Sequence, residues 1–120
     1  MEKVKKILII GFGNLGKRYY ESINQLENVE IYIYDPYLED INIPNIVKTL
    51  QLNFLIDLVI ISTCADVRFN VAYELINNNN ITSIIFEKFL FLEEQHYDII
   101  SKLLIKKNIN AYWNRKKIYF

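Results

Sequence analysis

A run of consecutive apolar residues that breaks into three spaced glycines constrains this chain more than any other stretch. Ile7-Leu8-Ile9-Ile10 is followed by Gly11-Phe12-Gly13-Asn14-Leu15-Gly16. Unbroken branched side chains suit a strand covered on both faces. G-x-G-x-x-G at the end of such a strand, opening a helical pattern, is the fingerprint of a dinucleotide-binding strand–turn–helix unit. Gly11 permits the tight turn, Gly13 leaves a pyrophosphate room to approach the backbone, and Gly16 lets the new helix pack closely. The phosphates would then meet the uncapped N–H groups and partial positive charge of a helix N-terminus. Gly11, Phe12, Gly13, Asn14, Leu15 and Gly16 are therefore the first candidate cofactor-binding residues, with Lys17 close enough to assist.

The surrounding sequence strengthens the motif. A second strand, Ile31-Tyr32-Ile33-Tyr34, ends in Asp35, 19 positions beyond Gly16. A carboxylate about 20 residues on is what hydrogen-bonds a ribose diol. A 2′-phosphate beside it would set like charges together, at about 4 kcal/mol per unit pair 4 Å apart with an effective dielectric near 20. Pro36 and Tyr37 follow, with no arginine to offset that repulsion, so the expected cofactor is NAD rather than NADP.

Further along, apolar runs alternate with helical patterns. The first helix spans about 14–26, with Leu15, Tyr19, Ile23 and Leu26 as its buried stripe and Tyr20 beside them. Ile46, Val47 and Leu50 mark a short crossover helix. Strand three is 57–62, breaking at Thr63-Cys64-Ala65 into a helix with Asp66 as N-cap and Val67, Val71, Ala72 and Leu75 facing inward. The Asn77–Asn80 patch reads as a loop. Strand four, 83–86, delivers Glu87-Lys88. A helix over 93–107 carries Tyr97, Ile100, Leu103 and Leu104, and a fifth strand covers 110–113. This alternation predicts an α/β fold, a doubly wound parallel (Rossmann) sheet of about five strands built from right-handed βαβ units. Ligands bind such sheets outside the carboxyl ends of the strands. Gly11, Asp35, Ser62-Thr63 and Glu87-Lys88 all fall at such ends.

The 120 residues, 52% hydrophobic, suffice for one domain with a real core. Fourteen basic and fourteen acidic residues leave a formal net charge of zero, which gives no electrostatic reason to expect nucleic acid or an anionic membrane. No apolar stretch reaches the roughly 18 residues of a membrane span. Cys64 is the single cysteine, which excludes an internal disulfide, fits a cytoplasmic setting and reads as a half-buried thiol. One His and one Cys cannot assemble a metal site of usual spacing, and His96 reads as a surface residue.

With Glu87-Lys88 placed, the sequence resembles the N-terminal half of the glucose–fructose oxidoreductase and inositol dehydrogenase (Gfo/Idh/MocA) family. The likeness rests on the glycine turn, Asp35, Ser62-Thr63-Cys64-Ala65-Asp66 and Glu87-Lys88-Phe89. The resemblance implies that Lys88 is catalytic, contacting the nicotinamide ribose and the reacting hydroxyl. It implies that Glu87 bonds the ribose or pairs with Lys88. Ser62 and Thr63 either touch the cofactor or serve as simple turn residues. Phe89 stands where the family has proline, as does Cys64. The family's second domain, which supplies the substrate surface, would begin near Arg115, so 1–114 is expected to be the NAD-binding domain and 115–120 the start of a junction. The implied function is hydride transfer between a sugar or polyol and NAD, with little turnover by this stretch alone. Two rivals stay open: a stand-alone nucleotide-sensing module of the potassium-transport type, and a non-catalytic partner protein that forms a homo-oligomer through apolar surface near Trp113, Ile118, Tyr119 and Phe120.

Overall fold

A computed structural model describes residues 3–38, 43, 45–87, 91–113 and 116–119. The elements run β1 (Lys5–Ile10), α1 (Asn14–Ile23), β2 (Val29–Tyr34), β3 (Ile56–Ile61), α2 (Ala65–Asn78), β4 (Ile81–Phe86), α3 (Glu94–Lys106), β5 (Asn110–Trp113) and β6 (Lys116–Ile118). They form one sheet in the order β2-β1-β3-β4-β5-β6. Every pairing is parallel except the last, where β6 returns antiparallel to β5. The expected α/β Rossmann architecture is present, with one strand more than the sequence suggested.

Alternation along the strands sends side chains to two cores. Ile7, Ile9, Ile31, Ile33 and Ile60 face α1, where Tyr19, Tyr20 and Ile23 cover them. Leu8, Ile10, Val59, Ile61, Ile84 and Phe86 face α2 and α3, against Ala72, Leu75, Ile76, Ile100 and Leu104. The apolar runs of β1 and β3 read as continuous because both faces are covered.

Several expectations need correction. α1 stops at Ile23, and Leu15 and Leu26 are exposed. Gly16 occupies the buried position at the head of the helix, which turns its neighbour Leu15 outward. No crossover helix forms at 46–50. Ile46 instead makes a single parallel bridge to Ile33: the Val47 N–H donates to the Ile33 carbonyl at 2.8 Å, and the Ile33 N–H to that of Asn45 at 3.1 Å. Asn45 there takes a left-handed conformation (φ 60°) incompatible with a continuing helix.

Asn79, read as loop, is buried and serves as a bracket. Its amide donates to the carbonyls of Leu50 (2.5 Å) and Leu75 (2.9 Å) and accepts from the Leu52 N–H (2.8 Å). One side chain thereby satisfies backbone groups that the missing helix would have paired. The apolar stripe of α3 is also narrower than expected, since Tyr97 is exposed while Ile100 and Leu104 are buried. Among the described residues no helix is long and apolar enough to cross a membrane.

Candidate functional site

The carboxyl ends of β1, β2 and β3 meet in a cleft of about 350 Å³ whose walls include Gly11, Gly13, Asp35, Tyr37, Thr63 and Cys64. Its floor is the glycine turn. Gly11 sits at φ +87°, a conformation that side chains other than glycine's rarely adopt, and its N–H donates to the Tyr34 carbonyl at 2.9 Å. Gly16 lies so close beneath this turn that an added Cβ would come within 2.1 Å of the Gly11 carbonyl oxygen. Gly13 differs, since a Cβ there would meet nothing within 4 Å among the described residues. Its absent side chain leaves open space over the amino end of α1.

Among the described residues no side-chain cap hydrogen bond closes that helix end. A helix terminus with uncapped donors beside open space is a ready anion site, here carried by the backbone of Gly13, Asn14 and Leu15. The Phe12 backbone is committed elsewhere. Its N–H donates to Asp35 Oδ2 at 2.8 Å, and its buried ring meets Tyr20 edge-on at 5.7 Å. Asp35 Oδ1 accepts the Tyr37 N–H at 2.9 Å. Two backbone donors thus hold the carboxylate at the cleft wall, and each oxygen keeps a lone pair for a further donor.

Ser62 and Thr63 divide in role. The Ser62 hydroxyl lies 2.7 Å from the Gly11 carbonyl oxygen and 3.0 Å from that of Ile10, so it fastens β3 to the glycine turn. Thr63 packs its methyl against Gly11, and its Oγ1 is buried with no hydrogen-bond partner among the described residues. Cys64 is the N-cap of α2 and is exposed, not half-buried, because it stands on the cleft rim. Asp66, expected as the cap, lies instead in the first turn, where a carboxylate also suits the helix dipole. Val67, expected to be buried, is exposed and borders the cleft with the half-buried Val71.

Glu87 leaves β4 pinned. Its N–H donates to the Ile61 carbonyl at 3.3 Å, and its Oε1 accepts the Tyr19 hydroxyl of α1. Lys88 and Phe89 lie outside the described residues. His96 is not on the surface side of its helix: it stacks on Phe69, ring centroids 3.8 Å apart and 7° from parallel, with Nε2 3.0 Å from Glu93 Oε2.

Sequence reasoning missed Arg68. It is 4% exposed, and its Nη2 donates to the Thr63 carbonyl at 2.6 Å and its Nη1 to that of Glu87 at 3.2 Å. Burial pulls the guanidinium pKa down, and the nearby Glu87, Cys64 and Tyr97 work against that shift. A signal was present in its spacing. Arg68 stands four before Ala72 and seven before Leu75, on the buried stripe of α2.

No protein-family model matches the sequence, and no curated protein matches it. The fold is found in solved structures. The scyllo-inositol dehydrogenase of Lactobacillus casei superposes with a TM-score of 0.74 at 16% identity, over 95% of this chain and 37% of that one. The myo-inositol 2-dehydrogenase of Lactobacillus plantarum gives 0.73 at 18% identity, over 93% and 36%. The WlbA dehydrogenase of Chromobacterium violaceum, solved with NADH and UDP-GlcNAcA, gives 0.73 at 13% identity, over 94% and 35%. The chain spans little more than a third of the length of these structures, and at such identities the likeness is one of fold.

Proposed function

We propose that this chain is the dinucleotide-binding part of an oxidoreductase of the Gfo/Idh/MocA kind. The observation that carries the proposal is the conjunction, in one cleft, of an uncapped helix end under open space at Gly13 and a braced carboxylate at Asp35. The first fits phosphates and the second fits a ribose diol. The structural neighbours of known name, among them inositol dehydrogenases and an enzyme solved with NADH, support the same reading.

The backbone of Gly13, Asn14 and Leu15 would hold the pyrophosphate, and Asp35 the adenosine ribose. Thr63 and Glu87 would border the opposite half, and Lys88 would carry the proton of the reacting hydroxyl. The chemistry such a dinucleotide supplies is two-electron hydride transfer. NAD is preferred over NADP because both Asp35 oxygens face the cleft wall as a fixed negative charge. A sugar or polyol is the proposed substrate, held against a second domain of the kind the family resemblance implies. Without that wall the reacting carbon is not positioned, so this stretch alone should turn over little.

Calorimetric titration with NADH and NADPH tests the proposal. NADH should bind with a Kd of about 0.1–1 mM and NADPH at least tenfold more weakly. Absence of heat with NADH at millimolar concentration would overturn the cofactor assignment, and equal affinity for the two would overturn the role of Asp35.

A further inference from the structure

Arg68 is the one buried charged side chain among the described residues. It occupies the first turn of α2, where the helix field opposes a cation. A buried guanidinium in that place is costly unless its donors are matched. Its fork spans two separate elements, with one nitrogen on the carbonyl of Thr63 in the β3–α2 turn and another on the carbonyl of Glu87 at the end of β4. Tyr19 holds the Glu87 carboxylate from α1, the helix on the other face of the sheet. Glu87 is therefore gripped by its main chain from one helix and by its side chain from the other.

We propose that Arg68 is a positioning residue for the half of the cleft remote from Asp35. It sets the separation between Thr63 and the point where the chain leaves β4 for Lys88. The inference rests on the dinucleotide reading of the cleft. A dinucleotide anchored by Asp35 at its adenosine ribose must cross the glycine turn toward β3 and β4, so its nicotinamide half would lie alongside the two strand ends whose carbonyls Arg68 joins. The planar fork fixes both carbonyls at once. A lysine ammonium keeps the charge but does not reproduce that two-armed geometry.

The experiment compares Arg68→Lys and Arg68→Met with the parent protein, titrating NADH and ADP-ribose, which lacks the nicotinamide. Amide hydrogen exchange is read over 62–65 and 85–87. Arg68→Lys should weaken NADH about tenfold and leave ADP-ribose within about twofold, while exchange quickens in both segments together. Equal weakening of the two ligands, or no change in either, would overturn the assignment. Should Arg68→Met fail to fold, Arg68→Lys decides the matter alone. If the parent protein binds neither ligand, the dinucleotide reading is what has failed, and exchange then judges the brace: joint loosening supports it, and unchanged protection refutes it.

Discussion

Replacing Gly16 and Gly13 by alanine, one at a time, should separate two effects that a glycine motif normally confounds. At Gly16 the new methyl would lie 2.1 Å from a backbone oxygen of Gly11 and 3.2 Å from Ser62 Oγ. Neither the turn nor the helix can rotate the offending atom away, so α1 must retreat by at least about 1.3 Å to reach ordinary van der Waals separation. Overpacking of this kind costs about 1–3 kcal/mol, and alanine's better helix propensity returns about 0.5–1 kcal/mol. The net is a loss of up to about 2.5 kcal/mol, or up to roughly 10 °C in Tm for a domain of this size. NADH binding should fall too, because the helix end has moved. At Gly13 the backbone is ordinary (φ −76°) and the added methyl meets open space. Gly13→Ala should keep Tm within about 2 °C yet weaken NADH at least tenfold, since the methyl occupies the ground a phosphate needs. Scanning calorimetry and NADH titration on both variants provide the readout. If Gly16→Ala raises Tm, propensity governs the site and the close approach does no structural work. If Gly13→Ala binds NADH normally, phosphates do not lie over that residue.

Three further outcomes follow from the same geometry. Cys64, the lone thiol and exposed on the cleft rim, should react with a thiol reagent several-fold more slowly when NADH is present at saturating concentration; an unchanged rate would place the ligand elsewhere. Tyr19→Phe removes the hydroxyl that Glu87 accepts and should cost about 1–2 kcal/mol of stability in urea unfolding, whereas a neutral result would show that Glu87 needs no partner from α1. At the opposite end of the sheet Lys6 Nζ bonds Glu30 at 3.0 Å, which lowers the Glu30 pKa below its ordinary 4.5. The stability it lends is present above that value and is lost as pH falls through the lowered pKa. Because the pair is solvent-exposed, Glu30→Gln should flatten the acid limb of the stability curve at low salt and do so less at 1 M salt.

The parts of the fold legible in the sequence are those where one physical effect dominates. β1 and β3 show as unbroken apolar runs because helices or loops cover both faces. The glycine turn shows because Gly11 takes a positive φ and Gly16 is packed so closely that a side chain at either is costly. Arg68 was hard to read, despite its place on the buried stripe, because a charge on a helix normally means solvent; its burial is made tolerable by partners distant in sequence or pattern, the carbonyls of Thr63 and Glu87 among them. Asn79 hid in a run of asparagines for a similar reason. Its partners at Leu50 and Leu52 lie 29 and 27 residues away, beyond the reach of local pattern. β6 escaped notice since a short edge strand carrying Lys116 and Lys117 has the composition of a solvated tail, which is how edge strands avoid unwanted pairing. His96 was misplaced because its neighbour Phe69 belongs to a different helix.

The bridge at Ile33–Ile46 and the Asn79 bracket together moor the long return from β2 to β3 at two fixed points. The pairings of β1 with β2 and with β3 do not run through that return, although Leu38 and Ile43 add apolar contact to the core facing α1. Evolutionary drift or a deliberate loop graft in this return should therefore preserve folding competence only where it spares both moorings and those apolar contacts.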